Sequence, residues 1–189
     1  MVSFRKEMIT GRAVHMELLE IMKNRRSVRS YTGEPVPEEA LEKILQAGLL
    51  SPSGRAVRPW EFLVVRRKET LKKMAGCRAA GAKMLEDADC AVVVLGDARK
   101  TDVWTEDCAI AMTGMHLMAD SLGIGSCWIQ GRLREASDGR TAEEYLRELL
   151  GYPEQMKLEA VLSLGMPKDH PGPYRLEELL TEKVHREKY

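Results

Sequence analysis

The sequence predicts an α+β fold in which a mixed central sheet is covered by helices on both faces. Three observations carry this. Two short runs, Glu61-Phe62-Leu63-Val64-Val65 and Cys90-Ala91-Val92-Val93-Val94-Leu95, are apolar at nearly every position, the pattern of strands buried on both sides. The stretches around them repeat apolar residues at three- and four-residue spacing, the period of helices that bury one face. With 189 residues, 44% of them hydrophobic, the chain can build one substantial core and is short for two domains.

Residues 1–15 carry mixed charge without periodicity and read as an N-terminal extension to a single domain over residues 16–189. From Met16 onward, Leu18, Leu19, Ile21 and Met22 share one broad helical face. A second helix is announced by Pro35-Val36-Pro37 followed by Glu38 and Glu39. Proline is preset for a first turn, acids complement the positive end of the helix dipole, and Leu41, Ile44, Leu45 and Leu49 form the stripe that stops at Ser51-Pro52. After the strand at 61–65 come short helices at 68–75 and 79–87, then the strand at 90–95.

Residues 105–122 predict a helix with few polar positions on its circumference: Ala109, Ile110, Ala111, Met112, Gly114, Met115, Leu117, Met118 and Ala119. Such a helix lies at the centre of the fold or at a subunit interface. Its small residues permit close helix approach, and a homodimer interface is the favoured expectation. Gly123 and Gly125 end it and lead into a strand at 126–130, halted by Gly131. Thr141 followed by Glu144 is a capping box at the start of a helix over 141–150. Residues 158–164 give the last strand, and Pro167, Pro171 and Pro173 mark an extended C-terminal arm.

Charge narrows the function classes. Lys and Arg number 29 and so do Asp and Glu, which argues against nucleic-acid or anionic-membrane partners, since both require a basic excess over a face. Cys77, Cys90, Cys108 and Cys127 show no zinc-type or CxxC spacing, so neither a metal site nor a disulfide framework is expected. No apolar leader and no run long enough to span a bilayer stands in the sequence, and a cytoplasmic protein is expected.

Against this balanced background Arg25-Arg26-Ser27-Val28-Arg29 concentrates three guanidiniums and a hydroxyl. Guanidiniums present planar donor forks that match phosphate oxygens, so a phosphorylated cofactor or nucleotide fits better than a bare carboxylate. The alternative is a solvated basic helix end that compensates the dipole. Other residue types that attract a chemical reading have a simpler one. Trp60 and Trp104 read as core or edge aromatics, His116 as a hydrogen-bonded interior histidine, Met112, Met115 and Met118 as packing, and Cys127 as a small buried thiol without a base. Glu106 and Asp107 read as acids serving the N-terminus of the long helix.

Four segments in order carry a resemblance: Arg25-Arg26-Ser27-Val28-Arg29-Ser30-Tyr31; Ser51-Pro52-Ser53-Gly54 with Arg58-Pro59-Trp60-Glu61-Phe62; Gly123-Ile124-Gly125-Ser126-Cys127-Trp128-Ile129-Gln130-Gly131; and Leu164-Gly165-Met166-Pro167 followed by Arg175. The set resembles the nitroreductase family of FMN-dependent NAD(P)H oxidoreductases, in its small single-domain form, from about Met16 to the C-terminus. The resemblance implies an intertwined homodimer with FMN at the interface and NADH or NADPH as transient hydride donor. It implies ping-pong transfer to a small flat acceptor such as a nitroaromatic or quinone, with the chemistry residing in FMN and no catalytic side chain. Arg25, Arg26 and Ser27 match the family's phosphate and ribityl ligands. Arg29 matches the cation facing the flavin pyrimidine, where positive charge stabilises the reduced anion. Pro52, Ser53 and Gly54 match a loop supplied by the partner subunit. Trp128, Ile129, Gln130 and Gly131 match the segment behind the ring, with the Gln130 N–H toward flavin N5. Arg175 matches a second phosphate ligand, and Lys83 falls near a flavin-contacting lysine. The chain departs from the pattern between Ser53 and Pro59, where relatives carry an amide and this sequence has Arg55, Ala56, Val57 and Arg58; Arg58 could donate in its place. Larger relatives have an acid at the Gln130 position and a lysine where this chain has Pro173. A non-catalytic FMN-binding module for storage or sensing is the alternative that the altered loop keeps open, and an enzyme with a different acceptor is a third reading.

Overall fold

Of the two runs that the sequence reads as buried on both faces, 90–95 becomes an inner strand buried at every position, whereas 61–65 becomes an edge strand with Glu61 and Val64 exposed. The computed structural model describes residues 17–189; the extension expected at residues 1–15 lies outside them. Nine principal elements follow in chain order: α1 Leu18–Asn24, α2 Glu38–Leu49, β1 Trp60–Val65, α3 Lys68–Met74, β2 Cys90–Asp97, α4 Trp104–Ser121, β3 Gly125–Gln130, α5 Ala142–Leu150 and β4 Met156–Gly165. The strands form one sheet in the order β1-β2-β4-β3, with β2 and β4 inside. Every strand pair is antiparallel, and the parallel component of the expected mixed sheet is a single bridge, Ser27 with Ser126.

The alternation along β2 divides the core. Ala91, Val93 and Leu95 pack with Leu71 and Met74 of α3 and Leu146 of α5. Cys90, Val92 and Val94 pack with Leu41 and Ile44 of α2 and Met112 and Met115 of α4. Helices therefore cover both faces, as expected. The register of β2 against β4 slips between Val94 and Leu95, which pair with Ala160 and Leu158. Glu159 is the extra residue, and its carbonyl accepts from both Gly131 N (3.1 Å) and Arg132 N (2.9 Å), so the bulge steers the chain leaving β3.

Helix α4 is not buried all round in the single chain. Cys108, Ala111, Met112, Met115 and Ala119 face the core, while Ile110 remains 44% exposed. Its small residues admit α2: a Cβ on Gly114 would stand 3.2 Å from the Ala47 carbonyl, and one on Gly48 would meet Met115 at 2.9 Å. The helix expected at 79–87 is a correction. Only one 3₁₀ turn, Lys83–Glu86, forms there, because Gly81 takes φ +90° and breaks any helical run. The capping box at α5 is present in full, with Thr141 Oγ1 accepting from Glu144 N (3.1 Å) and Glu144 accepting from Thr141 N (3.0 Å).

Candidate functional site

The arginine-rich segment is fastened to the sheet by its apolar and aromatic members. After α1 the chain runs beside edge strand β3, where Val28 N donates to Ser126 O (2.9 Å). Val28 and Tyr31 are buried, and the Tyr31 hydroxyl shares a hydrogen bond with Ser163 Oγ (2.7 Å) and donates to Val28 O (3.0 Å). Removing that phenol from water raises its pKa, so it stays protonated. The alternation of buried and polar residues thus decides which side chains of 25–31 are left to act.

Arg25 donates from NH1 to His116 Nε2 (3.0 Å), and His116 Nδ1 lies 2.6 Å from Ser126 Oγ. Burial, and then the positive charge of Arg25, lower the His116 pKa from 6.5 to about 4. Arg29, Ser27 and Arg25 all act on the Cys127 thiol, which burial nevertheless holds above its ordinary pKa, so the thiol is unreactive, as its sequence context implied. Ser27 bridges Ser126, Arg25 reaches Ser126 through His116, and Arg29 donates to Ser27 O (3.3 Å), so these three residues meet at the start of β3. Arg26 turns the other way: it donates to the Gly172 carbonyl and its guanidinium stacks 4.4 Å from the Tyr174 ring centroid, pinning the C-terminal arm.

The other end of β3 is built differently. Gln130 lies about 13 Å from Ser126, four residues along the strand. Trp128 Nε1 donates to Gln130 Oε1 (2.8 Å), Gln130 Nε2 donates to Arg132 O (3.2 Å), and Arg78 donates to Gln130 O (2.9 Å). The Ser126 and Gln130 carbonyls both accept from outside the ladder, so in the antiparallel alternation their N–H groups face that edge too. The Gln130 N–H therefore points away from β4, toward the outer edge. Ile129 is buried in the core, and Gly131 lies against Leu158, where a Cβ would come within 2.5 Å.

Ser53 and Gly54 sit in a loop held at the N-terminal end of α4. Gly54 N donates to Asp107 Oδ1 (2.8 Å) and Arg58 N donates to Ser53 Oγ (2.9 Å). Asp107 therefore serves this loop rather than the helix terminus, and its Oδ2 is buried without a hydrogen-bond partner among the described residues. Arg55, Ala56 and Arg58 all take positive φ, at 51°, 57° and 50°, a cost that persists only where the surroundings enforce it. Asp107 and His116 lie nine residues apart on α4, about 14 Å, so within one chain this loop does not reach the Arg25 seat. Pro52 and Arg58 are exposed, as is Lys83. Arg175 is exposed on the arm, with Glu177 Oε2 at 3.7 Å, and is not gathered with Arg25.

Several members of the site carried no signal in the sequence. Arg78 reaches Gln130 across 52 residues. Asp120 accepts from Asn24 Nδ2 (2.8 Å) and meets His170 Nε2 (3.1 Å), tying α1 and the arm to α4. Glu159 is buried beside Gln130 and Arg132, and desolvation raises its carboxyl above the usual range. Among the described residues no cluster of His, Cys, Asp and Glu could hold a metal ion, and no helix is long and apolar enough to cross a membrane.

Comparison with known proteins addresses the whole of this arrangement. A protein of Archaeoglobus fulgidus named "Putative NADH dehydrogenase/NAD(P)H nitroreductase" is 39% identical over 178 residues, covering 92% of this chain and 99% of its own. An FMN-dependent nitroreductase of Clostridium difficile superposes with a TM-score of 0.88 at 40% identity, covering 90% of this chain and 99% of that one. A Desulfovibrio desulfuricans protein solved in complex with FMN superposes with a TM-score of 0.74 at 25% identity, covering 93% and 99%. The Nitroreductase family model matches residues 22–77 and 77–166, which takes in the arginine segment, the Ser53 loop and all four strands. The chain belongs to the nitroreductase family.

Proposed function

We propose that this protein is an FMN-dependent oxidoreductase that passes hydride from NAD(P)H to a small flat acceptor, donor and acceptor using one cleft in turn. The observation that carries the reading is the outer edge of β3. At one end it gathers Arg25, Ser27 and Arg29, and about 13 Å along it presents the outward-facing N–H of Gln130. The donor set fits FMN: guanidiniums and a hydroxyl suited to a phosphate monoester, then a backbone donor suited to a ring nitrogen. The FMN-dependent relative and the FMN complex support the same cofactor.

In this reading FMN, when bound, supplies the two-electron chemistry. Arg25 and Ser27 hold its phosphate while Arg26 secures the C-terminal arm, Gln130 N–H meets flavin N5, and Arg29 places a cation on the pyrimidine side. Trp128 and Gly131 set the backbone path behind the ring. The loop at Pro52, Ser53, Gly54 and Arg58, too distant from Arg25 within one chain, completes the site of a second copy, and Arg175 joins the phosphate ligands when the arm is engaged. The working unit is thus a homodimer. The four cysteines are all unpaired and buried, which suits a reducing cytoplasm.

The test is a visible spectrum of the purified protein under anaerobic conditions, before and after adding NADH and then NADPH. A flavin band that bleaches with either donor is expected. A band that persists with both donors yet disappears with dithionite would favour a non-catalytic flavin-binding module, and failure to take up added FMN would overturn the cofactor assignment.

A further inference from the structure

We infer that His116 is a positioning residue that aims Arg25 at the cofactor phosphate while leaving its positive charge unspent, an inference that rests on the FMN-binding reading above. The hydrogen bonds fix the ring's state. Arg25 can only donate, so His116 Nε2 must be the acceptor of the 3.0 Å bond, and the ring proton must sit on Nδ1, where it is donated to Ser126 Oγ at 2.6 Å. The doubly protonated ring has no lone pair for Arg25, so the contact exists only with neutral His116. Ser126 is held in turn, since its carbonyl accepts from Val28 N and its backbone bridges Ser27. A closed circuit results: Arg25 leans on His116, His116 on Ser126, and Ser126 on the residues that follow Arg25.

The choice of acceptor matters chemically. An arginine at an anion site needs a partner to fix its fork, and proteins commonly use a carboxylate. A carboxylate at position 116 would form an ion pair with Arg25 and compete directly with the incoming phosphate. A neutral imidazole orients the guanidinium through one of its five N–H groups and leaves four donors and the full charge for the ligand. His116 is only 6% exposed, so water cannot substitute as the acceptor without entering the core. A neutral histidine at this buried position of α4, with the Asp120 carboxylate one turn on already taken up by Asn24 and His170, is thus explained by a charge it must not neutralise.

The experiment compares dissociation constants for FMN and for riboflavin, which lacks the phosphate, in the wild-type protein and in His116→Ala, His116→Gln and His116→Glu. The wild type is expected to prefer FMN. His116→Ala should weaken FMN binding by about tenfold or more, the scale of a hydrogen bond to a charged group, with riboflavin changed by less than about threefold. His116→Gln, which offers a neutral acceptor, should restore most of the preference for FMN, and His116→Glu, equal in size but anionic, should abolish it. Equal losses for FMN and riboflavin in His116→Ala, or a Glu variant that keeps the preference, would overturn the inference while leaving FMN binding intact. If the Ala variant does not fold, the Gln and Glu pair carries the same test. A wild type that binds neither flavin would instead overturn the reading on which the inference rests.

Discussion

His116 shows how much a single buried side chain can impose on the behaviour of the molecule. Its ring faces Arg25 from the segment after α1 and Ser126 from β3, and Asp120 lies one turn further along α4 with its carboxylate taken up by Asn24 and His170. The folded chain protonates this ring only near about 4, against 6.5 in the unfolded chain. Above pH 6.5 both states are neutral at this site and no stability is lost. Between these values the unfolded chain takes up a proton that the folded chain refuses, so stability falls with acidification and the loss levels off, at about 3 kcal/mol, below the folded value. Urea unfolding near pH 7.5 and near pH 5 should show the wild type losing about 2 kcal/mol more than His116→Gln across that interval. Parallel losses would remove His116 from the account. Gly131 makes a simpler demand. A Cβ there would meet Leu158 Cδ2 at 2.5 Å and Cγ at 2.7 Å, and Leu158 is fully buried, so Gly131→Ala should destabilise by about 1–3 kcal/mol in the same measurement.

Elements are joined here by a few polar clamps, and Asp120 is the one with the widest reach. One carboxylate oxygen receives Asn24 at the end of α1 and the other meets His170 at the root of the arm, whose own Nδ1 lies 2.8 Å from Pro171 O. Asp120→Ala removes both ties at once. The expected result is faster amide hydrogen exchange at residues 168–176 and in α1, with a stability loss of about 1–2 kcal/mol, since Asn24 and His170 are only half-buried and can turn to water. Exchange unchanged in both segments would mean that Arg26, through Gly172 and Tyr174, holds the arm alone. The elements themselves were readable because their signals are local. Proline and acids opened α2, the Thr141 and Glu144 pair opened α5, and apolar-rich runs marked β1, β2 and β4. The helix expected at 79–87 failed on an equally local feature, Gly81, whose φ of +90° outweighs the apolar spacing around it. The clamps were not readable. Asn24 and Asp120 are 96 residues apart, Arg25 and His116 are 91 apart, and nothing in either neighbourhood marks a partner that only the packing of α1 against α4 brings close.

At the scale of the whole molecule, the apolar surface the fold leaves open is concentrated on a few elements. Leu18, Leu19 and Met22 stand out on α1, Leu49 and Leu50 end α2 in the open, Ile110 projects from α4, and Leu176, Leu179, Leu180 and Val184 line the arm. Leu18, Leu19 and Met22, on the face of α1 that the sequence predicts as apolar, are thus left open by the described residues, and the helix with few polar positions is covered on only one side. A monomer can expose single apolar side chains at little cost, but whole elements left uncovered mark an interaction surface. The same geometry leaves the Ser53 loop about 14 Å along α4 from His116 and Arg25, so a second copy that covers Ile110 would also deliver that loop to the cofactor. Folding, assembly and cofactor retention are then one linked equilibrium. Ile110→Arg places a charge on the open face of α4 without touching the buried side, so the single chain should keep its fold. Light scattering after size-exclusion chromatography should give a dimer for the wild type and a shift toward monomer for the variant. The variant should also lose FMN by about tenfold or more in affinity, because on the proposed reading the Ser53 loop of each site comes from the other copy. A variant that becomes monomeric yet binds FMN as tightly as the wild type would show that one chain holds the cofactor alone, and the role assigned to the Ser53 loop would fall with it.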